Sequence, residues 1–392
     1  MVKSLPADQL KYTTRTTSLC GMIKITTLTK IAHRLARTDI LLWTLPVLMI
    51  LLFIGTITQK HLGLYAALNF YFASFITFIG PIPFPGGLTL MLILFINMLM
   101  KFLLFSEWQW HKAGSILTHF GVLILMIGGG ITAATEKDGY IVIEEGATQS
   151  IVRDYHTRML RIREDGQTIF EIPHQKINEN EVIAIPNTKA KLTIQQYCFH
   201  CDIVMRPENE TEGWHKPASS MKLIDAKPLP EHEQNMTGIE FEISGVDKKQ
   251  NGKYLTFDKF PKPPTISIND KQYTIEIGRA ERPLPFSLTL TDFEQTLHPG
   301  TNLASEYRSD VIVNDGTDEW AARIEMNEPL RHKNYTIYQS SFDLSGEKPF
   351  TVLSVVENKG QIFPYIATII MTLGLVLHMI LRRKRKKDEW AS

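Results

Sequence analysis

The sequence predicts a membrane protein with four transmembrane α-helices and a large β-rich extracytoplasmic domain between the third and fourth spans. Uncharged apolar blocks crowd into residues 40–134 and 361–381, whereas residues 135–360 are polar and rich in charge. Within the polar stretch, apolar and polar residues alternate with the period of β-strands. These two observations together fix the fold class.

The apolar blocks are long enough to cross a bilayer, which takes about 20 residues of helix. The predicted spans are Ile40–Gln59, Leu88–Leu104, Ala113–Ala134 and Gln361–Leu381. A further uncharged stretch leads into "PIPFPGG" at 81–87, which breaks it from the next block. This stretch is long enough to make a fifth span, but two cytoplasmic ends need an even number, so residues 62–87 are predicted to form an interfacial or re-entrant segment on the outer face.

The charges at the two ends predict the orientation of the spans. The N-terminal tail, residues 1–39, carries seven Lys and Arg against Asp8 and Asp39, and the tail 382–392 opens with six basic residues. Basic residues favour the cytoplasmic side of a membrane. Both tails are thus predicted to be cytoplasmic, which needs an even number of spans and puts residues 135–360 outside.

Four segments of the outer domain alternate as strands do. They are "GIEFEISGV" (238–246), "TISINDKQYTIEIG" (265–278), "FSLTLTDF" (286–293) and "YTIYQSSF" (335–342). Asn269-Asp270, inside the second segment, has the composition of a two-residue hairpin turn. An antiparallel β-rich domain is the expected architecture.

Several function classes find no support in the residues. A formal net charge of +1 gives no reason to expect a nucleic-acid partner, and three cysteines are too few for a disulfide scaffold. The chain has no phosphate-binding glycine loop, no GxSxG turn and no HExxH helix. The residues alone therefore indicate no enzyme class.

His119, in "GSILTHFGVLILMIGGG" (114–130), is the residue that calls for an explanation. An ionisable side chain inside a span is costly and usually faces protein, a cavity or a cofactor. Gly114, Gly121 and Gly128 recur every seven residues and form a ridge for close approach of a helix or a flat ligand, but His119 is not on it. Two interpretations stay open: a histidine hydrogen-bonded to a neighbouring helix, or an axial ligand to a haem iron.

Three further residues are predicted to lie near the same membrane face. His378, four residues before Arg382, has a comparable predicted depth in the fourth span and is a second candidate ligand or a snorkelling interfacial residue. His111 and Lys112 are expected to be interfacial anchors.

Cys198 and Cys201, in "CFHCD", form a CxxC pair that could be redox-active. The run "KLTIQQYCFHCD" has the composition of a strand, on which residues three apart point to opposite faces, so a turn or bulge would be needed to join them. No histidine follows the second cysteine, so this is not a covalent haem-attachment motif.

Motifs along residues 35–382 resemble the ResB family, also called CcsB, of System II cytochrome c biogenesis. The early motifs are "IGTITQ" (54–59), "LFINMLMK" (94–101) and "HKAGSILTHFGVLILMIGGGIT" (111–132). The most specific ones come late: "LPFSLTLTDFEQTLHPGT" (284–301), "EYRSDVIVND" (306–315) and "ARIEMNEPLRHKNYTIYQSSFD" (322–343). They occur in the order in which the family has them.

The resemblance implies a subunit that acts with a ResC/CcsA-like membrane protein. Together the two would move haem b across the bilayer and deliver it to the CxxCH cysteines of apocytochromes c. The family's third-span histidine is held to be a haem ligand, and His119 occupies that position; His378 is the second candidate. The tryptophan-rich haem segment of the ResC type is missing from this sequence, so no complete enzyme is expected from this chain alone.

The resemblance implies a large domain on the periplasmic or thylakoid-lumen side, and a bacterial inner membrane with the domain in the periplasm or outside is the expected location. A Ser/Thr-rich, acid-poor N-terminus also leaves a thylakoid membrane open. The alternative function is a membrane-anchored thiol-redox protein that uses Cys198 and Cys201.

Overall fold

The computed structural model describes residues 29–300, 304–343 and 350–391. Those residues form two compact units. The helical unit comprises residues 29–59, 66–134 and 359–391, and the β unit comprises Lys60–Tyr65 and Thr135–Asn358.

The helical unit is built on four helices that are long and apolar enough to cross a membrane. The helices are α1 (Thr38–Leu62), α2 (Gly87–Phe105), α3 (Ala113–Thr135) and α4 (Phe363–Ala391). The prediction of four membrane helices and a large β-rich domain is confirmed, and the chain is a multi-pass membrane protein. The part of α4 that qualifies as a span is Phe363–Arg383, and the helix continues through the basic run.

Residues 62–87 contain no spanning helix. They form a short helix (Leu64–Ala67), a π-helical turn (Leu68–Phe72) and a hairpin of strands β1 (Ile76–Ile79) and β2 (Ile82–Pro85). Gly80 turns the hairpin with φ +61°, a conformation that glycine adopts without a steric penalty.

The glycine ridge of α3 packs against α4. A Cβ on Gly114 would lie 2.5 Å from the Cα of His378 and 2.7 Å from the carbonyl oxygen of Gly374. Further along α3, a Cβ on Gly121 would lie 3.1 Å from the carbonyl oxygen of Ala367. As the residue numbers of the contacts increase along α3, those of their partners decrease along α4, so the two helices run antiparallel. Of the two partners predicted for the ridge, the structure therefore supplies a helix.

The β unit holds the remaining strands. They are β3 (Lys137–Glu144), β4 (Thr148–Glu164), β5 (Gln167–Pro173), β6 (Val182–Ala184), β7 (Lys191–Cys198), β8 (Cys201–Met205), β9 (Met221–Asp225), β10 (Gly238–Ser244), β11 (Gly252–Phe257), β12 (Thr265–Ile268), β13 (Lys271–Leu297), β14 (Ala304–Asn314), β15 (Glu319–Glu325), β16 (Leu330–His332), β17 (Tyr335–Asp343) and β18 (Phe350–Glu357).

The strands form three antiparallel sheets. The main sheet has the order β15-β14-β13-β4-β3-β18-β17-β16, with β12 paired to β13 and β5 paired to β4. A four-stranded sheet has the order β11-β10-β7-β6, and β8 pairs with β9. The predicted hairpin turn is confirmed: Ile268 faces Lys271, and Asn269 and Asp270 have φ of 53° and 64°, the left-handed values that a type I′ turn needs.

Two apolar cores lie along the paired strands β4 and β13. The first contains Leu160 of β4 and Ile275 of β13 and extends to the four-stranded sheet. The second contains Val152 of β4 and Leu288 of β13 and extends to β14, β17 and β18. Between the cores the pairing breaks, because the register runs from Arg279 opposite Arg158 to Glu281 opposite Arg153.

The four residues 154–157 of β4 have no partner in β13 at this break, and His156 among them belongs to a histidine cluster. The Nδ1 atoms of His156 and His232 are 3.2 Å apart, and Tyr65 stacks on His156 with ring centroids 3.5 Å apart. Burial, with Arg158 and His156 nearby, lowers the pKa of His232 from 6.5 to about 4. The cluster therefore packs as neutral imidazoles.

The glycine ridge gives a first test. Gly114→Ala forces a methyl group against the backbone of α4 and is expected to destabilise the protein by about 1–3 kcal/mol, as overpacking does. Thermal unfolding of the purified full-length chain in detergent measures the loss.

Gly129→Ala is the matched control, because a Cβ at Gly129 meets nothing within 4 Å. Alanine also favours a helix over glycine, so this variant should be unchanged or slightly more stable. Equal loss in both variants would refute the close α3–α4 contact.

The histidine cluster gives a pH prediction. The unfolded chain protonates His232 near pH 6.5, whereas the folded chain resists protonation down to about 4. Stability should therefore fall as the pH is lowered from about 6.5 to 4, because the unfolded state binds the additional proton. In His232→Gln the unfolding free energy should depend less steeply on pH in that window, because up to about one proton fewer is taken up on unfolding. A wild-type slope in this variant would contradict the neutral cluster.

Candidate functional site

A cavity of about 560 Å³ opens in the helical unit, where α2, α3, α4 and the link between α2 and α3 meet. Both predicted ligand candidates, His119 and His378, line this cavity. The other lining residues are Met98, Lys101, Phe102, Phe105, Ser106, Glu107, His111, Lys112, Ser115, Ile116, Leu381 and Arg382. The structure thus places the two histidines, which are far apart in sequence, at one site.

Helix α3 orients the ring of His119. The Nδ1 atom of His119 lies 2.7 Å from the carbonyl oxygen of Ser115, one turn earlier in the helix. A carbonyl can only accept a hydrogen bond, so Nδ1 is the donor, and in the neutral imidazole Nε2 keeps its lone pair. Metal-binding histidines are commonly oriented in this way, with the second ring nitrogen donating to a backbone carbonyl. His119 is exposed on α3, so the free Nε2 is accessible.

His378 is half-buried and lies where α3 and α4 are closest, because its backbone faces Gly114. Its position on the cavity wall makes it available to the same ligand as His119. The ridge contact therefore does two things: it joins the helices and it sets His378 against the cavity.

Basic groups surround the cavity. Lys101, Lys112 and Arg382 line it together with a single carboxylate, Glu107. The ammonium of Lys112 donates to Glu107 at 2.5 Å and lowers the pKa of that carboxyl group. Lys101 donates to the hydroxyl of Thr38 at 3.2 Å. The site combines apolar walls, accessible imidazole and an excess of positive charge, which suits an apolar ligand that carries both a metal and carboxylates.

Within the described part of the chain, three or more His, Cys, Asp or Glu side chains nowhere converge as a site for a bare metal ion. One or two imidazoles are instead the protein ligands of an iron whose remaining ligands come from a macrocycle. The donor set at this cavity therefore fits haem.

The histidines and Lys112 are predictable from the sequence as residues of one membrane face, whereas the contact to Ser115 and the contribution of Lys101 are not. Ser115 lies four residues before His119, and this i, i+4 spacing was the available signal for the carbonyl contact. Lys101 and Arg382 belong to different helices, and their convergence depends on helix packing that one sequence does not show.

Cys198 and Cys201 are joined by a disulfide, with their Cα atoms 5.5 Å apart. The predicted continuous strand is interrupted here: β7 ends at Cys198, residues 199–200 form a bend, and β8 begins at Cys201. Both cysteines are about 1% exposed in a small core with Leu223 and Leu255. A thiol partner could not reach them without local opening.

The bend is held by contacts to the segment that precedes β10. The amide of Met236 donates to Nδ1 of His200 at 3.1 Å, and the hydroxyl of Thr237 donates to the carbonyl of Phe199 at 2.9 Å. These contacts give "CFHC" a structural explanation.

Comparisons with known proteins point to one family. Residues 265–349 match the model of the ResB-like family, a stretch that begins with β12 and includes β17. The chain is 32% identical over 118 residues to Protein NrfI of Wolinella succinogenes. That alignment covers 30% of this chain and 13% of the relative, so the chain matches only a small part of that protein's length.

Proposed function

We propose that the chain, which matches the ResB-like family over residues 265–349, is the haem-handling subunit of a System II cytochrome c biogenesis complex. Acting with a ResC/CcsA-like membrane protein, it would move haem b across a bacterial inner membrane. The haem is then delivered for covalent attachment to the CxxCH cysteines of apocytochrome c.

The observation that carries the proposal is the free Nε2 of His119 at a cavity with basic walls. A neutral imidazole with an available lone pair is a good ligand for haem iron. The cavity is shared with His378, the candidate for the second axial position. Lys101, Lys112 and Arg382 match the two carboxylates that a haem carries. Haem is the cargo here, and His119 holds it until the partner receives it.

The charge distribution supports an orientation. Lys101, Lys112 and Arg382 surround the cavity, and basic residues favour the cytoplasmic side. The cavity would thus face the compartment in which haem is made. The β unit, between α3 and α4 in the chain, would lie in the periplasm, where apocytochromes are matured.

His119→Gly tests the ligand role. In cells that also make the partner, the variant should accumulate yet co-purify with background haem and leave cytochrome c immature. The glycine leaves an imidazole-sized gap, so added imidazole can bind the iron and restore part of the haem and of the maturation. Absorption spectra of the purified complex and haem staining of cytochrome c measure both effects.

His111→Gly is the control, because His111 lines the same cavity and is interpreted as an interfacial anchor. It should retain haem and maturation. A structural role for His119 predicts mild destabilisation, about 0.6–2 kcal/mol for a membrane hydrogen bond, with no rescue by imidazole. Normal haem content in His119→Gly would end the ligand assignment and transfer it to His378.

A second candidate function, thiol exchange, draws on the Cys198–Cys201 disulfide. It would keep the cysteines of apocytochromes reduced. The burial of both sulfurs favours a structural disulfide instead.

The double variant Cys198→Ala, Cys201→Ala separates the two functions. With a structural disulfide, the protein loses some stability but mature cytochrome c persists in proportion to the protein that remains. If maturation is lost at a normal protein level and is restored by an added thiol reductant, the thiol function is correct. Immunoblots and haem staining from the same cells give the ratio.

A further inference from the structure

A second cavity, of about 360 Å³, lies wholly within the β unit. It is bounded by β4, β13 and the turn that follows β11, and no residue of the haem site contributes to it. Its lining residues are Tyr140, Arg153, Arg161, Arg163, Phe257, Asp258, Lys259, Phe260, Pro263, Glu276, Ile277, Gly278, Arg279 and Glu281.

Gly278 leaves the wall of this cavity open. It lies inside the 27-residue strand β13, opposite Met159 of β4. A Cβ at Gly278 would meet only the Nη1 atom of Arg161, at 3.9 Å. Glycine weakens a strand interior, and it often marks a place where a ligand approaches the backbone closely. At this position a larger side chain would meet no steric clash, and the backbone is not in a conformation that favours glycine. The empty space beside Gly278 therefore needs another explanation.

The charged residues that line the cavity are mostly basic: five are Lys or Arg and three are Asp or Glu. Arg161 and Arg279 are almost fully buried, with side chains 3% and 6% exposed. Arg161 is held in place by the carbonyl oxygen of Arg279 at 2.6 Å and by Glu171 at 3.0 Å. Both guanidinium groups are thus held in fixed positions at the cavity, where they also pair with carboxylates of the protein.

One carboxylate serves two of the buried guanidinium groups. Oδ2 of Asp258 lies 3.1 Å from Nε of Arg279 and 3.7 Å from Nε of Arg158, which lies behind the cavity wall. Burial and the charge of Arg279 lower the pKa of Arg158 to about 10. The lining itself carries more Lys and Arg than Asp and Glu, and in surroundings of low dielectric constant this excess favours a further anion.

The rest of the wall is formed by aromatic and apolar side chains. Phe257 and Phe260 pack with ring centroids 4.5 Å apart, and Tyr140 and Pro263 extend the surface. The cavity therefore offers an aromatic surface, a bare strand and fixed basic groups side by side. These features select a flat apolar molecule with a carboxylate at its edge.

We propose that this cavity is a second binding site, which takes the carboxylate edge of a flat aromatic ligand. Given the proposed haem cargo, on which this step rests, that ligand is the porphyrin and the groups bound are its propionates. Recognition depends on the carboxylates and the ring and does not involve the iron.

Iron-free protoporphyrin IX is the probe, added to the full-length chain in detergent and followed by its fluorescence. It has no iron for His119 to bind, and the Gly278→Val variant decides whether the binding that remains belongs to this cavity. We expect saturable binding, with the dimethyl ester of the same porphyrin at least about tenfold weaker because the ester lacks both charges. His119→Gly should bind the probe as the wild type does.

Gly278→Val fills the bare wall with a residue that favours strands, and should weaken binding at least tenfold. Thr274→Val is the matched control, since it places the same side chain on the same strand outside the cavity and should leave binding unchanged. Thermal unfolding of both variants shows whether the fold is kept.

Two charge variants test the sign of the interaction. Arg153 has a half-exposed side chain whose nearest carboxylate, that of Glu281, is 4.0 Å away, so Arg153→Gln removes a charge at little structural cost. It should weaken binding about fivefold, the scale of a partly exposed charge contact. Glu281→Gln removes a competing carboxylate and should strengthen binding.

Equal binding of the ester, or unchanged binding in Gly278→Val, would overturn this site. Neither result affects the proposed function, which depends on iron and on His119. Loss of iron-containing haem in His119→Gly, with protoporphyrin binding intact, would support both sites as separate.

Discussion

The pairing of β4 with β13 organises the whole β unit. Both strands run past two apolar cores, so the same ladder supports the four-stranded sheet at one end and β14, β17 and β18 at the other. The break in this ladder brings Arg158, Arg279 and the histidine cluster together. Polar groups gather there because the alternation that buries apolar side chains is interrupted, and the chain satisfies them with carbonyls and one shared carboxylate.

In the helical unit, the close approach of the α3 and α4 backbones organises the packing. Helices in a bilayer gain little from burying apolar surface against each other, so small residues and tight packing decide which faces meet. Gly114 and Gly374 let α3 and α4 touch, and the cavity with His119 lies beside that contact. Packing and site are thus set by the same few residues.

Patterns that act locally were predictable from the sequence. Apolar block length gave four membrane helices, and Asn269-Asp270 gave a turn, because both depend on neighbouring residues. Strand β13 includes parts of two segments that the sequence predicts as separate strands. Pro283 and Pro285 interrupt its pattern, and its buried residues change from odd-numbered to even-numbered positions. The basic cavity around Gly278 and the presence of His119 and His378 in one cavity depend on contacts between distant parts of the chain. No short-range pattern contains that information.

The stacking of Tyr65 on His156 and its contact with His232 join three distant parts of the chain in one cluster. Tyr65 is made before the second and third spans, and its ring partners are made after them. The β unit therefore cannot complete this cluster from a continuous piece of polypeptide, and its final packing waits until the intervening helices have been inserted. Folding of the β unit and insertion of the helices are therefore coupled. A fragment that starts after α3 would lack Tyr65 and leave one face of the histidine pair uncovered.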